Sequence, residues 1–356
     1  MAGFGFIIEG DNVFSAGVKP HLLLGKGLMK LGHSVSYFVY SGSSRVLEYL
    51  PAEMRGARVS GKDQGPASKF FGEVNADYVM TDDFGNRLTL LSDLKKDMGV
   101  KTIVYSHVFG GLISYFGTET GIPAPARKPT ANVAWSDFSK DHKINMKTSD
   151  YVISNSGYTE SLNRILFGAE SDAIIYPPLD TEIFRLKQRK SRNRNILIYS
   201  GNSLESAIHS ENISRMLCEE GYRVRIFGGN LGSAAKRKQM RGTVEIMNGV
   251  SEKDLADLYS RSSVTVVATG WESYGNVGAE SLACGTPVLA ISYQPWMENA
   301  NDTRAARILR HGDNLTDAVS DLVHAPSHVM KDASLAICSS TSISEGTERL
   351  LKLLNE

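Results

Sequence analysis

The chain has 356 residues, and its 39 Lys plus Arg against 39 Asp plus Glu leave no net charge. With 42% apolar and 22% charged residues it has the make-up of an ordinary globular protein, long enough for about two domains. The charge balance supplies no field for a polyanion, which argues against nucleic acid as a partner. Three dispersed cysteines, Cys218, Cys284 and Cys338, with no C-x-x-C pair, argue against a disulfide framework or a structural zinc.

The opening stretch MAGFGFIIEGDNVF lacks the basic start and apolar core of a signal peptide, and no apolar run reaches the roughly 18 residues of a membrane span. The expected location is therefore cytoplasmic. In chain order, FGFIIE predicts a strand, VKPHLLLGKGLMKLGH a helix with leucines at helical spacing, and SVSYFVY a second strand. ADYVMT, RLTLLSDLKKDMG and KTIVYS continue the alternation, as do SDYVISNS, GYTESLNRILFG and SDAIIYPPLD. Short, nearly continuous apolar strands alternating with amphipathic helices are the pattern of a parallel sheet covered on both faces. The basic polar run Arg185 to Asn195, after Pro177 and Pro178, reads as a linker. It divides an N-terminal domain, 1–184, from a second α/β domain, 196–340, in which NILIYSG, YRVRIFGGN, GTVEIMNGV, SVTVVATG and TPVLAIS predict the strands. From about Ala300 the pattern is helical, with no strand-like run, and 341–356 forms a last helix able to return to the N-terminal domain. Two doubly wound sheets predict ligand binding in a cleft at the carboxyl ends of their strands.

The stretch WESYGNVGAESLACGTPVLAIS places two acids, Glu272 and Glu280, around a glycine-containing run. SVTVVATG predicts a buried strand and NVGAESLACG a helix ending at Gly285 before Pro287, so Trp271 to Gly275 form the connecting loop. The helix N-terminus, with free amides near Gly275, Asn276 and Val277 and a partial positive charge, suits a phosphate, and Gly275 admits close approach to the backbone. Glu280 points back toward that end, and Glu272 views it from the loop. Carboxylates accept hydrogen bonds from vicinal hydroxyls. Two acids beside one anion are reconciled if each serves a hydroxylated ring flanking a diphosphate, as in a nucleotide sugar. The alternative is ordinary dipole stabilisation on a solvated helix.

From Gly249 through Ala290 the sequence resembles the donor-binding region of the retaining GT-B glycosyltransferases of family 4, with their E-x7-E motif followed by a small residue, Gly, Thr-Pro and Val. SDYVISNSGYTESLNRILFG, IIYPPLDTEIF and GHSVSYFVY are similar to other segments of that family. The resemblance implies two Rossmann-like domains with an interdomain cleft, and a hexose transferred from a nucleotide-diphosphate sugar to a glycan, lipid or small-molecule acceptor. Glu272 would contact donor-sugar hydroxyls and Glu280 the ribose, while Gly275, Asn276 and Val277 offer amides to the phosphate or sugar. Gly249 and Val250 would flank the base, and Gly17 would be a turn near the diphosphate. His107, after a strand, stands where the family often has a histidine facing the transferred sugar. Asp82 and Asp83 follow another strand, where they can face the acceptor or cap the next helix.

One departure stands out. The family's Arg and Lys that clamp the diphosphate are replaced by Asn202 and by Ser206 or Ala207, leaving His209 and Arg185 as weak substitutes. No divalent metal or other cofactor is implied, and no metal-ligand spacing appears. The alternatives are a catalytically silent nucleotide-sugar-binding protein and a GT-B relative with epimerase or phosphorylase chemistry. The helix GKGLMKLGH carries too few cations to decide on a peripheral membrane contact with a lipid acceptor.

Overall fold

The computed structural model describes residues 1–9, 17–41, 54, 56–83, 86–107, 143–144, 146–187, 194–201, 204–228, 244–247, 249–300 and 304–355. The chain divides into two units, Met1–Pro178 with Ile343–Glu356, and Leu179–Ser342. The first boundary thus falls at Pro178, upstream of the basic run that begins at Arg185.

The first unit holds β1 (Gly3–Glu9), α1 (Lys19–Lys30), β2 (Ser34–Ser41), β3 (Arg58–Gly61), α2 (Ala67–Glu73), β4 (Tyr78–Asp82), α3 (Asn86–Met98), β5 (Lys101–Ser106), β6 (Tyr151–Ser154), α4 (Gly157–Leu162) and β7 (Ala173–Ile174). Its seven strands, all parallel, run in the order β3-β2-β1-β4-β5-β6-β7. Alternation along β1 explains why both faces are covered. Phe4, Phe6 and Ile8 pack with Leu24 and Leu28 of α1, while Ile7 joins Phe38, Phe71 and Leu91 on the opposite face. The C-terminal helix of this unit, Ile343–Asn355, lies on α1, with Thr347 and Ile343 occupying the space a side chain at Gly27 would need.

The second unit holds β8 (Asn195–Tyr199), α5 (Leu204–Glu219), β9 (Arg223–Phe227), β10 (Val244–Met247), α6 (Glu252–Arg261), β11 (Val264–Val267), α7 (Asn276–Ala283), β12 (Val288–Ala290), β13 (Ala306–Ile308), α8 (Leu315–Val323) and α9 (Ser327–Thr341). The last helix of the chain, described above, is α10. The parallel order β10-β9-β8-β11-β12-β13 repeats that of the first six strands. Strand β13 corrects the expectation of an all-helical C-terminal part. Its three residues pair with β12 through Val288↔Ala306, Leu289↔Arg307 and Ala290↔Ile308. They are too few to carry a period, and the sheet edge next to them, not their own sequence, makes them a strand.

In each sheet the strand order reverses direction between the first and fourth strands, at β1/β4 and at β8/β11. Such reversals open a crevice at the carboxyl ends of the strands, where α/β sheets bind ligands.

Candidate functional site

At the second sheet's reversal, β8 leads through Ser200 to Gly201, and β11 through Thr269 and Gly270 into the loop before α7. Gly201 has φ +60°, and a Cβ there would lie 2.5 Å from Thr269 Cγ2. The two strand ends therefore close on each other only because this residue is glycine. The loop ends at Gly275, the N-cap of α7, with φ +88° and no side-chain cap. The amides of Asn276 and Val277 thus lack intrahelical acceptors at the positive end of the dipole, while that of Gly278 donates to the Gly275 carbonyl at 3.1 Å. The space beside Gly275 is already taken, since an added Cβ would meet Gln294 Oε1 at 2.6 Å and Trp296 Cδ1 at 2.9 Å. Packing inside the fold therefore requires glycine at this position as well. Trp296, fully buried, also presses on Gly278 one turn further in.

Glu280 is buried at 4% exposure and accepts a hydrogen bond from the Tyr259 hydroxyl at 3.1 Å. Tyr259 lies on α6, its ring against Phe184 and Phe227, and its carbonyl accepts from Thr286 Oγ1 just beyond α7. The burial and both glutamates push the Tyr199 hydroxyl's pKa up, so Tyr199, Glu272 and Glu280 share one electrostatic environment. Glu272 is half-buried, and desolvation pushes its carboxyl up to about 7, opposed by a hydrogen bond with the Thr269 side chain. Gly249 precedes Ser251, the cap of α6, whose Oγ accepts from Asp254 N at 3.2 Å. Gly249 has φ +63° with open space around it, and Val250 is half-buried. Ser206 is buried, Ala207 and His209 are half-buried, and Arg185 is exposed. Asn202, the position where a cation was looked for, lies outside the described residues.

At the first sheet's reversal the residues are tied to one another. Asp82 accepts from Arg87 Nε at 2.8 Å and Nη2 at 3.0 Å, and Arg87 also pairs with Glu9 at 2.5 Å. Gly17 sits against Asp82, whose Oδ2 would be 3.3 Å from an added Cβ. Asp83 accepts from Ser106 Oγ at 2.7 Å and from the His107 amide at 3.0 Å, tying β4 to β5. His107 is buried, with Nδ1 2.9 Å from Asn155 Nδ2, and desolvation pulls its pKa down. His21, in the first turn of α1, is buried beside it, with Nδ1 2.8 Å from the Gly17 carbonyl.

The structure thus gathers Glu272, Glu280, Gly275, Asn276 and Val277 around one helix end of the second unit, and Gly17, Asp82, Asp83 and His107 around one strand reversal of the first. Sequence reading missed Tyr259, Tyr199, Trp296, Arg87 and His21. Tyr259 meets Glu280 from 21 positions away, whereas Arg87 and His21 bond residues five and four positions off, and of these only the doubled acid of MTDDFG offered a local signal. Among the described residues no group of three or more His, Cys, Asp and Glu side chains is placed to hold a metal ion, and no helix is long and apolar enough to cross a membrane.

Two Rossmann-like parallel sheets of this order define a GT-B fold. The whole chain superposes on sucrose-phosphate synthase from Thermosynechococcus elongatus, with a TM-score of 0.74 and 14% identity, covering 100% of this chain and 98% of that one. It likewise superposes on Anabaena HepE, solved in complex with UDP and glucose, with a TM-score of 0.73 and 12% identity over 100% of both chains. Residues 180–336 match the family described as glycosyl transferases group 1. The chain is 24% identical over 230 residues to D-inositol 3-phosphate glycosyltransferase 2 of Catenulispora acidiphila, 56% of this chain and 52% of that protein. It is 44% identical over 62 residues to D-inositol 3-phosphate glycosyltransferase of Nocardiopsis dassonvillei, 17% of this chain and 14% of that protein. The chain therefore spans about half the length, or less, of the curated relatives it matches.

Proposed function

We propose that the protein is a glycosyltransferase moving a hexose from a nucleotide-diphosphate sugar to an acceptor hydroxyl, with retention of anomeric configuration and without a divalent metal. The observation that carries this reading is the uncapped N-terminus of α7 at the second sheet's reversal, with Glu272 and Glu280 on either side. In this reading the amides of Gly275, Asn276 and Val277 receive the diphosphate. Glu280, held by Tyr259, accepts from the ribose hydroxyls, and Glu272 accepts from the sugar. Gly249 and Val250 flank the base. On the first unit, Gly17 gives a turn near the diphosphate, His107 addresses the transferred sugar, and Asp82 and Asp83 shape the acceptor side through Arg87 and His107. The acceptor oxygen would form its bond to the anomeric carbon as the bond to the diphosphate breaks, its proton passing to the departing phosphate on the same face. The acceptor belongs to the hydroxyl-bearing sugars or lipids, and contact with a membrane surface is part of this proposal only for a lipid acceptor.

The test is a thermal-shift screen against UDP, GDP, ADP and their hexoses, followed by turnover with the nucleotide that binds, since a ligand of the native state raises its melting temperature. Glu280→Ala is expected to shrink the shift. Glu272→Ala is expected to keep it while lowering transfer on the order of 100-fold or more. Transfer at the parent rate by purified Glu272→Ala overturns the site assignment. A second reading, donor binding without transfer, is favoured by the rim itself. Its carboxylates Glu205, close to Gly270, Glu272 and Glu280 stand where a leaving diphosphate needs positive charge. A melting shift with no turnover across a broad acceptor panel supports that reading over transfer.

A further inference from the structure

The loop that carries Glu272 is held at both ends by one segment, residues 292–299, which follows β12. At the β11 end, Ser292 Oγ donates to the Thr269 carbonyl at 3.0 Å. At the α7 end, the Trp296 amide donates to the Tyr274 carbonyl at 3.0 Å, and Asn299 Nδ2 donates to the Tyr274 hydroxyl at 3.5 Å. Gln294, with no exposed surface, touches both ends. Its Nε2 lies 3.4 Å from the Thr269 carbonyl, 3.5 Å from Thr269 Oγ1 and 3.3 Å from Ser292 Oγ. Its Oε1 occupies the space beside Gly275, 2.6 Å from where a Cβ would sit.

The orientation of this amide, and with it the direction of each bond, follows from its partners. The Thr269 carbonyl can only accept, so the nitrogen of Gln294 and not its oxygen faces it. That nitrogen can only donate, which makes Thr269 Oγ1 an acceptor toward Gln294 and leaves its one hydrogen for another partner. The partner is the Glu272 carboxylate, to which the Thr269 side chain bonds. An amide-to-hydroxyl-to-carboxylate chain results, in which each bond polarises the next. Without the amide, the hydroxyl can equally well accept from a protonated Glu272, and its preference for the ionised form is lost. Among the described residues, the other ionisable groups around this end of the sheet are Tyr199 on β8, Glu280 on α7 and Glu205 on α5, beside Gly270. None of the three is a cation, so the Thr269 hydroxyl supports a charge that desolvation opposes.

We propose that Gln294 is a positioning residue for the reaction, acting through Thr269 to hold the Glu272 carboxylate ionised and aimed at the hydroxyls of the donor sugar. The inference rests on the proposed glycosyl transfer for what Glu272 binds, and on the bonds above for how Glu272 is held.

The ligand-free protein provides the first test. With glutamate labelled at the side-chain carboxyl carbon, and the Glu272 signal assigned by its loss in Glu272→Gln, carbon spectra follow the Glu272 titration directly. Gln294→Met keeps the length of the side chain and removes its amide. It is expected to move the midpoint up from about 7 by about 0.5 pH or more, the equivalent of one weak hydrogen bond. Thr269→Val, which removes the hydroxyl, should move it the same way, and Thr269→Ser, which keeps the hydroxyl, should restore it toward the parent value. The double variant Gln294→Met/Thr269→Val should titrate no higher than Thr269→Val alone, because both changes cut one chain. In the parent protein the Gln294 side-chain amide signals should follow the Glu272 midpoint, a dependence lost in Thr269→Val, and this observation needs no Gln294 variant to fold. With the nucleotide hexose that raises the melting temperature, the low-pH limb of kcat should move up in Gln294→Met by the same interval as the carboxyl. A merely structural role would lower kcat alike at every pH. An unmoved Glu272 midpoint in Gln294→Met overturns the inference, as do additive shifts in the double variant or a kcat lowered equally at all pH values. If no nucleotide sugar binds the parent protein, the glycosyl-transfer reading fails, and the carboxyl titration alone decides whether Gln294 holds Glu272.

Discussion

Glu272 is charged at a cost to the fold. Desolvation raises its pKa from 4.5 to about 7, so between these values the folded chain binds a proton that the unfolded chain has lost. Stability from this group is therefore full below pH 4.5, declines as pH rises, and is lost above about 7. That rise in pKa corresponds to at most about 3 kcal/mol, less whatever solvent reaches a half-buried side chain. Glu272→Gln should raise the denaturation midpoint at pH 8 and leave it nearly unchanged at pH 4.5, measured by urea titration of the ligand-free protein. A midpoint equally raised at both pH values would mean that packing, not charge, is what the substitution relieves. A strained carboxylate of this kind gains from a ligand that donates hydrogen bonds to it, which is how the sugar hydroxyls of the proposed donor would act. Spacing drew attention to Glu272 and Glu280, since a loop and one helical turn bring both toward a single helix end, but it took the family resemblance to set that reading above ordinary dipole stabilisation. Their company was not legible. Tyr259 reads as one more apolar position on a helix, and nothing local to it says that its hydroxyl meets Glu280 from two elements away.

Helix α7 is positioned by what it omits as much as by what it contains. Gly278 lies inside the helix, where replacing glycine by alanine ordinarily gains up to about 1 kcal/mol. A Cβ at this site would run into the indole of Trp296, a side chain with no exposed surface. Gly278→Ala is therefore expected to destabilise the second unit by about 1 to 3 kcal/mol, the usual cost of overpacking a filled core. It should also change the fluorescence of the folded state, because Trp296 must move. A stability gain with unaltered emission in a urea titration would show that the indole yields freely. The same logic governs the GKG of α1, where Tyr37 lies under Gly25 and Thr347 of α10 over Gly27. At this scale the sequence carried the order and kind of most elements. Strands such as FGFIIE and VTVV are apolar on both faces, and the helices hold leucines at three and four. It could not carry β13, whose strand character is imposed by β12, nor the reason for glycines whose neighbours arrive from distant segments.

For the whole molecule, the two units respond to acid in opposite senses. In the first, His21 is neutral because burial, the neighbouring His107 and Arg87 all disfavour its protonation, bringing its pKa from 6.5 to about 3. Between those values the unfolded chain binds the extra proton, so stability rises with pH across that window and is lost as pH falls through it. The loss amounts to about 2 kcal/mol by pH 5 and about 5 kcal/mol below pH 3, and His107, lowered for the same first reason, adds to it. In the second unit Glu272 works the other way, with its penalty relieved as pH falls from 7 to 4.5. Each unit has its own sheet and buried core, so each is expected to report its own transition. Of the three tryptophans, Trp271 and Trp296 belong to the second unit and Trp135 to the span of the first, so in a Trp135→Phe background the emission reports the second unit's transition while far-ultraviolet circular dichroism follows both. Lowering pH from 7.5 to 5 should bring the first unit's melting down and hold or raise the second's, so that the dichroic change begins before the fluorescence change. His21→Leu removes the titrating ring and should flatten the acid slope of the early transition, even where it lowers stability at every pH. An acid slope identical in the parent and His21→Leu would place the proton uptake on other groups, with His107 the next to test.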